Sequence, residues 1–491
     1  MRPSRGVIRS SRSVNLTGRR SRGSSSVRRP ARFGGWVLAV TAGSSGAAGL
    51  RRLVRVDASD PAVVTAALER ALDGGGPAVL PTAGPGATAD ASAAASTSDS
   101  GGSVGGVLQR VPGDVVLVIE TSGSTAEPKR VMLTEGALRA SAAATYARFD
   151  ELFGAPGQPA EVARQWLLTL PASYVAGAQV LMRSILAGTE PVVLGGEHFT
   201  AEGFARAAGA LTAERRYVSL VPAQLSRLLD AAETEAGAGP VALAVARFDA
   251  ILVGGQALPP SLRSRAGELG WNLVTSYGSS ETSGGSLYNG EPLDGVRVRI
   301  RDGEVQLAGP VLCAGYLGDP RRTAEAFVED DGERWYRTSD GGRLEIDEAT
   351  GRERLVVTGR LDNVIVSGGE KVLLGRVEGI VRRLPGLEGA VVVAAPSEQW
   401  GQVPALVVEA SAWAPETPLP GVGVALLDAR ALADDERWRS VRGATAAAGR
   451  AARPALLVIA RSIPLLPSGK PDRRSLEDLV ARLSHGGADE A

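Results

Sequence analysis

A run of hydroxyls closed by a lysine, Thr121-Ser122-Gly123-Ser124-Thr125-Ala126-Glu127-Pro128-Lys129, follows directly on the apolar stretch Val115–Ile119. Hydroxyl and backbone donors around a glycine, with an ammonium at the end, suit the oxygens of a polyphosphate. The Walker pattern G-x-x-x-x-G-K-[ST] is absent from the chain. A solvated Ser/Thr loop is the alternative for this segment taken by itself. Farther on, Tyr277-Gly-Ser-Ser-Glu281-Thr282 follows Leu273–Ser276. A carboxylate there can hold Mg²⁺ between phosphates, and a phenol ring can stack on a base. Gly254-Gly255, after Ala250–Val253, would let a flat ring approach bare backbone. Asp340 in Tyr336-Arg-Thr-Ser-Asp340 and Arg360 in Thr358-Gly-Arg360-Leu-Asp362 read as a ribose acceptor with a cation beside it, or as a structural salt bridge. Two more segments, Ser367-Gly368-Gly369-Glu370-Lys371 and Pro467-Ser-Gly-Lys470-Pro-Asp-Arg473, each carry a lysine.

Those lysines are conspicuous because the chain has 54 basic residues and only Lys129, Lys371 and Lys470 are not arginine. An ammonium is a compact point charge where guanidinium is a planar fork. All three fall inside the segments above, which argues for selective retention rather than chance.

The elements that must position these groups follow from periodicity. Short β-branched runs (Val115–Ile119, Trp166–Leu170, Pro191–Leu194, Tyr217–Leu220, Ala250–Val253, Leu273–Ser276) alternate with amphipathic stretches (Ala137–Phe149, Ala178–Leu186, Ala201–Leu211, Ala223–Ala231, Pro260–Leu269). That alternation predicts a mostly parallel sheet covered by helices, with ligands at the carboxyl ends of its strands. Period two in Val296–Ile300, then Asp302-Gly303, predicts a hairpin and a β-rich subdomain. From about Arg360 a small α+β domain is expected, with helices at Gly375–Arg383 and Asp435–Ala447 and strands at Gly389–Ala394, Ala405–Glu409 and Ala455–Ile459. The expected organisation is a disordered basic tail over 1–35, a large α/β domain over 36–359 with a flexible loop at 82–106, and a small domain over 360–491.

Composition narrows the chemistry. Cys313 is the only cysteine and His198 and His485 the only histidines, so an internal disulfide, a cysteine-type zinc site and thiol or serine hydrolase machinery are not expected. Net charge is zero, but residues 1–56 hold 13 arginines and no acid, which leaves the remainder acidic. Nucleic acid is therefore not an expected partner of the fold. No stretch reaches the roughly 20 apolar residues of a membrane span, and a cytoplasmic location is expected.

Together, in this order and spacing, the segments between Val115 and Arg473 resemble the adenylate-forming superfamily of acyl-CoA synthetases, luciferases and peptide-synthetase adenylation domains. The resemblance implies a large N-terminal domain and a small mobile C-terminal lid. It implies activation of a carboxylic acid by ATP·Mg²⁺ to an acyl-adenylate, then transfer of the acyl group to a thiol such as coenzyme A. Carried onto this sequence, Thr121, Ser122, Gly123, Ser124, Thr125 and Lys129 would bind phosphates, Glu281 would ligate magnesium and Thr282 would touch phosphate. Gly254, Gly255 and Tyr277 would flank adenine, and Asp340 and Arg360 would hold ribose. Asp362 would be the hinge, Lys470 would bridge the attacking carboxylate and the α-phosphate, and Gly368, Gly369 and Lys371 would face the site during thiolation.

Finer strings, Leu170–Ser184, Ser219–Leu229 and Glu281-Thr-Ser-Gly-Gly, are similar to actinobacterial o-succinylbenzoate-CoA ligases of menaquinone synthesis. That substrate has a second carboxylate. Arg183 matches the position of a basic residue in those ligases, with an arginine capping or solvating the helix Ala178–Leu186 as the alternative. Ser173 and Tyr174 stand where an active-site histidine is common, and Ala126, Arg130 and Ser339 stand at usual glycine positions. Another aryl- or acyl-CoA ligase, a free-standing domain loading a carrier protein, and a nucleotide-binding pseudoenzyme are the competing expectations, and homo-oligomerisation is left open. Retention of Lys470 and Glu281 argues against the pseudoenzyme.

Overall fold

The β-branched runs become buried strands in the computed structural model, which describes residues 49–82, 109–121, 128–154, 162–195, 198–234, 239–348, 350–361, 363–413, 424–428, 431–466 and 469–484. The expected tail 1–35, nearly all of the loop 82–106, phosphate-loop residues Ser122, Gly123, Ser124 and Thr125, and Asp362 lie outside the described residues.

Two sheets make the larger body. One runs in the order Glu291–Pro292, Gly284–Tyr288, Leu273–Ser279, Ala250–Val253, Arg215–Leu220, Arg164–Leu168, Val192–Val193. Its last five members pair in parallel, as the alternation predicts, and the first two turn back antiparallel. The other sheet departs from the expectation. Leu50–Asp57, Ala78–Thr82 and Val115–Thr121 are parallel, but Arg110–Pro112, Lys129–Thr134 and Gly315–Tyr316 join them antiparallel. Lys129–Thr134 runs back along Val115–Thr121, so that Thr121 pairs with Lys129.

The helices Glu135–Phe153 and Val175–Ala187 lie between these sheets. Their buried faces join one core with Val116, Leu117, Ile119, Trp166, Tyr217, Val274 and Tyr288. Helices Ala201–Gly209, Pro222–Thr234, Pro240–Val245 and Pro260–Glu268 cover the far face of the first sheet, through Phe204, Leu225, Leu229, Val245 and Ala266. The helix expected from Ala201 starts there, with Thr200 accepting from Gly203 N–H, whereas the one expected from Ala137 starts two residues earlier, at Glu135, because Thr134 accepts from Ala137 N–H and caps it.

A third sheet carries the predicted hairpin. Arg297–Arg301 and Glu304–Ala308 pair antiparallel about Asp302-Gly303, whose φ values of 52° and 79° are those of a type I′ turn. Glu333–Ile346 continues the sheet and pairs with Glu353–Arg360, setting Asp340 opposite Arg360. The fourth sheet, Glu370–Leu373, Val364–Ser367, Gly401–Glu409, Leu456–Ala460 and Val424–Asp428 with Val391–Ser397 alongside, has its own cores around Trp438, Leu406 and Leu457 and around Val393, Leu476 and Val480. No described helix is long and apolar enough to cross a membrane.

Candidate active site

Three consecutive strand ends of the parallel run deliver side chains to one edge. After Leu273–Ser279 the chain makes a short 3-10 turn, Ser280–Thr282, held by reciprocal bonds between Ser279 and Thr282. Thr282 is fully buried, and its hydroxyl donates to the Gly284 carbonyl at 2.7 Å and accepts from Ser279 N–H at 2.9 Å. Thr282 is thus part of the turn that presents Glu281.

Glu281 is only 6% exposed. Its Oε1 accepts from the Tyr316 hydroxyl at 2.8 Å, and Lys129 Nζ stands 5.5 Å from the Tyr316 ring centre. Burial, reinforced by the Glu281 charge, pushes the Tyr316 phenol up, so it stays a donor. Tyr316 was not among the sequence candidates; it sits in a two-residue strand whose pattern gives no signal. No cluster of three or more His, Cys, Asp or Glu occurs among the described residues. A single carboxylate does suit Mg²⁺, which takes one or two protein carboxylates and completes its shell with phosphates and water. Cys313, the neighbouring thiol, is pushed up to about 12 by burial and then by Glu281, which leaves it unreactive.

Tyr277, Asp340 and Arg360, far apart in sequence, come into contact. Tyr277 donates from its hydroxyl to Asp340 Oδ2 at 2.6 Å, and Arg360 Nη1 lies 3.5 Å from Asp340 Oδ1. Ser339 holds φ 59°, and its N–H donates to buried Glu304 at 3.0 Å. The left-handed backbone explains why glycine is usual there. Arg130, at another usual glycine position, lies 3.6 Å from Glu120 and donates to Gln109 at 3.1 Å.

Lys470 meets Asp340 and Arg360 from the C-terminal region. Its Cε lies 3.7 Å from where a Cβ on Gly255 would sit, and a Cβ on Gly254 would come within 3.4 Å of Ser276. Burial, and then the Arg360 charge, lower the Lys470 pKa, while Asp340 and Glu281 raise it. The structure therefore brings Lys470, Asp340, Arg360, Gly255 and Glu281 to one place. Gly368, Gly369 and Lys371 lie elsewhere on the same region: the two glycines, with φ 58° and 86°, turn the hairpin Val364–Ser367 to Glu370–Leu373, and Gly368 packs on Trp400.

Arg183 is 2% exposed, which removes the solvated-helix alternative. Its Nη2 donates to Thr145 Oγ1 at 3.2 Å and lies 3.4 Å from the Tyr288 hydroxyl, and the guanidinium stands 5.0 Å from the Trp166 ring centre. Among the described residues, Arg183 Nε has no hydrogen-bond partner and no carboxylate pairs with the guanidinium. One turn earlier on the helix, Gln179 donates to the Ser283 carbonyl beside the Glu281 turn, and its Oε1 is unpartnered. Ser173 and Tyr174 sit at the start of this helix, where Tyr174 is the N-cap residue without a capping side chain and burial raises its phenol. Thr145, Gln179 and Tyr288 escaped the sequence reading because their meeting is purely tertiary.

Tyr277, Asp340 and Arg360 in mutual contact, with Lys470 brought to them and to Glu281 from the C-terminal region, form an arrangement that suits a nucleotide-dependent enzyme. The AMP-binding enzyme family matches residues 50–344. The chain belongs to that family. The probable 2-succinylbenzoate-CoA ligase of Mycobacterium tuberculosis (strain H37Rv) is 38% identical over 307 residues, 62% of this chain and 73% of that one. The 2-succinylbenzoate-CoA ligase of Salmonella typhimurium is 31% identical over 61% of this chain and 59% of its own. Among solved structures, the o-succinylbenzoate CoA synthetase of Bacillus subtilis with the acyl-adenylate intermediate OSB-AMP overlays with TM-score 0.56 at 23% identity, covering 74% of this chain and 69% of that one. An Arg-to-Lys variant of Escherichia coli MenE with bound OSB-AMS gives TM-score 0.58 at 21% identity, covering 88% of this chain and 87% of the other. At such identities the overlays speak for the fold, which is the mixed α/β architecture described above.

Proposed function

We propose that this enzyme is an AMP-forming ligase that adenylates o-succinylbenzoate and passes the acyl group to coenzyme A, releasing pyrophosphate and then AMP, in menaquinone synthesis. The observation that carries the substrate is Arg183, a buried guanidinium without a carboxylate partner among the described residues, on the helix that also runs past the Glu281 turn. Leaving such a charge uncompensated costs several kcal/mol. A substrate with a second carboxylate recovers that cost and fits the names of the ligases to which the chain is similar.

The loop from Thr121 to Lys129 would bind the ATP phosphates, Tyr277, Gly254 and Gly255 would flank adenine, and Asp340 with Arg360 would hold the ribose. Glu281 is the residue to hold Mg²⁺, which when bound neutralises phosphate charge. One carboxylate oxygen of the acid attacks the α-phosphorus, and pyrophosphate leaves with the bonding pair. Lys470 offsets charge on both reacting groups in that step. In the second step the coenzyme A thiolate attacks the acyl carbon and AMP departs. We propose 36–359 as the large domain and 360–491 as the lid, with Asp362 as hinge and Gly368, Gly369 and Lys371 facing the thiol.

The test is ATP–pyrophosphate exchange with o-succinylbenzoate, plain benzoates, fatty acids and amino acids, followed by coenzyme A addition. Exchange confined to o-succinylbenzoate and a coenzyme A thioester are expected. Exchange with another acid discards the substrate, and acyl transfer only to a carrier protein discards coenzyme A. Arg183→Ala should weaken o-succinylbenzoate at least tenfold more than benzoate, the scale of one lost charged hydrogen bond. An equal effect on both acids makes Arg183 a packing residue only.

A further inference from the structure

Three contacts seat the lysine turn on the larger body. Gln256 Nε2 donates to the Gly469 carbonyl at 3.0 Å. Gly469, at φ 76°, passes so close to Val221 that a Cβ there would lie 3.0 Å from Val221 Cγ2. Lys470 itself lies along Gly255. The turn is a preformed unit, because Leu466 N–H donates to the Lys470 carbonyl and Gly469 N–H to the Leu466 carbonyl, both at 2.8 Å. Among these contacts only the Gln256 amide makes a directional bond from the larger body to the turn's backbone.

We propose that Gln256 is a positioning residue that docks the Lys470 turn and so favours the lid orientation in which the adenylate forms. It touches no reacting atom. When the lid leaves this orientation, the Gln256 amide and the Gly469 carbonyl return to water, so the bond contributes only to the docked state. The inference rests on the adenylation reading above.

The experiment compares wild type with Gln256→Ala in the two half-reactions, pyrophosphate exchange and thiolation of preformed acyl-adenylate. One neutral hydrogen bond corresponds to roughly a three- to tenfold change in the docked population. A fall of that size in the exchange rate, with thiolation and the melting midpoint unchanged, is the expected result. A loss shared equally by both half-reactions makes Gln256 merely structural, and no change in either overturns the docking role. A readout independent of activity uses spin labels at Leu243→Cys on the larger body and Ser440→Cys on the lid, both exposed, with Cys313 buried and silent. Gln256→Ala should deplete the docked distance in the nucleotide-free enzyme, and an unchanged distance distribution overturns the proposal. Absence of exchange in wild type with every acid would instead sink the functional reading, while the label distances still decide the docking role.

Discussion

Lys470 brings an ammonium into surroundings that disfavour it, since burial and the Arg360 charge lower its pKa from the usual 10.5. The ammonium is the form that can offset phosphoryl charge, and a lowered pKa means that it is lost at lower pH than an ordinary lysine would lose it. The expected outcome is an alkaline limb in kcat/KM for ATP in pyrophosphate exchange, lying below 10.5 and absent from thiolation of preformed adenylate. A limb at or above that value would contradict the buried placement. Ser339 invites a second single-residue test. Its left-handed φ of 59° costs a side-chain-bearing residue about 1 kcal/mol. Ser339→Gly should raise the denaturation midpoint without changing the Asp340 to Arg360 pairing, and a lowered midpoint would show that the serine side chain contributes more than the strain removes.

At the scale of elements, the lysine turn is anchored on its own side by an ion pair whose carboxylate is buried. Arg473, at the start of the helix Arg473–Ser484, donates to both oxygens of Glu378 at 2.7 and 2.6 Å and to the Val392 carbonyl at 3.0 Å. Glu378, on the helix Leu374–Val381, also accepts from Val392 N–H at 2.9 Å. The two helices thereby tie the lysine turn to the hairpin bearing Gly368 and Gly369. Removing one member of a buried pair costs about 3–5 kcal/mol, with the low end expected here because the Arg473 side chain is 36% exposed. Glu378→Gln should therefore lower the urea midpoint of a lid transition by the equivalent of about 3 kcal/mol, and a midpoint within error of wild type would remove the pair from the stability of the region. Hairpins show how legible such elements were. Asp302-Gly303 was read correctly, and Asn289-Gly290 and Asp331-Gly332, with φ of 52° and 87° and of 52° and 75°, turn their hairpins by the same chemistry. Those two carried the same sequence signal, but the strands beside Asn289-Gly290 are too short or too glycine-rich to announce themselves.

Across the whole molecule, apolar cores separate near Arg360. Clusters around Ile365, Trp438 and Leu457 and around Val393 and Val480 draw only on residues beyond it, while those around Trp166, Leu225 and Val305 draw only on residues before it. With the proposed boundary, limited proteolysis of the full chain should cut near 360–363 as well as in the expected tail 1–35 and loop 82–106, and leave two resistant cores that part near 360–363. Progressive degradation without such a pair would argue against it. The sequence by itself determined the order of the motifs, the parallel run and the places of the three lysines, because local spacing and periodicity encode which groups follow which strand. Only the tertiary structure decided that Tyr316 holds Glu281, that Gln256 meets Gly469 and that Arg183 is buried among Thr145, Trp166 and Tyr288. Those partners stand 35 to 213 residues apart or come from separate elements. No periodicity records a contact made by separate sheets and helices packing together, so their chemistry appears only when the chain has folded.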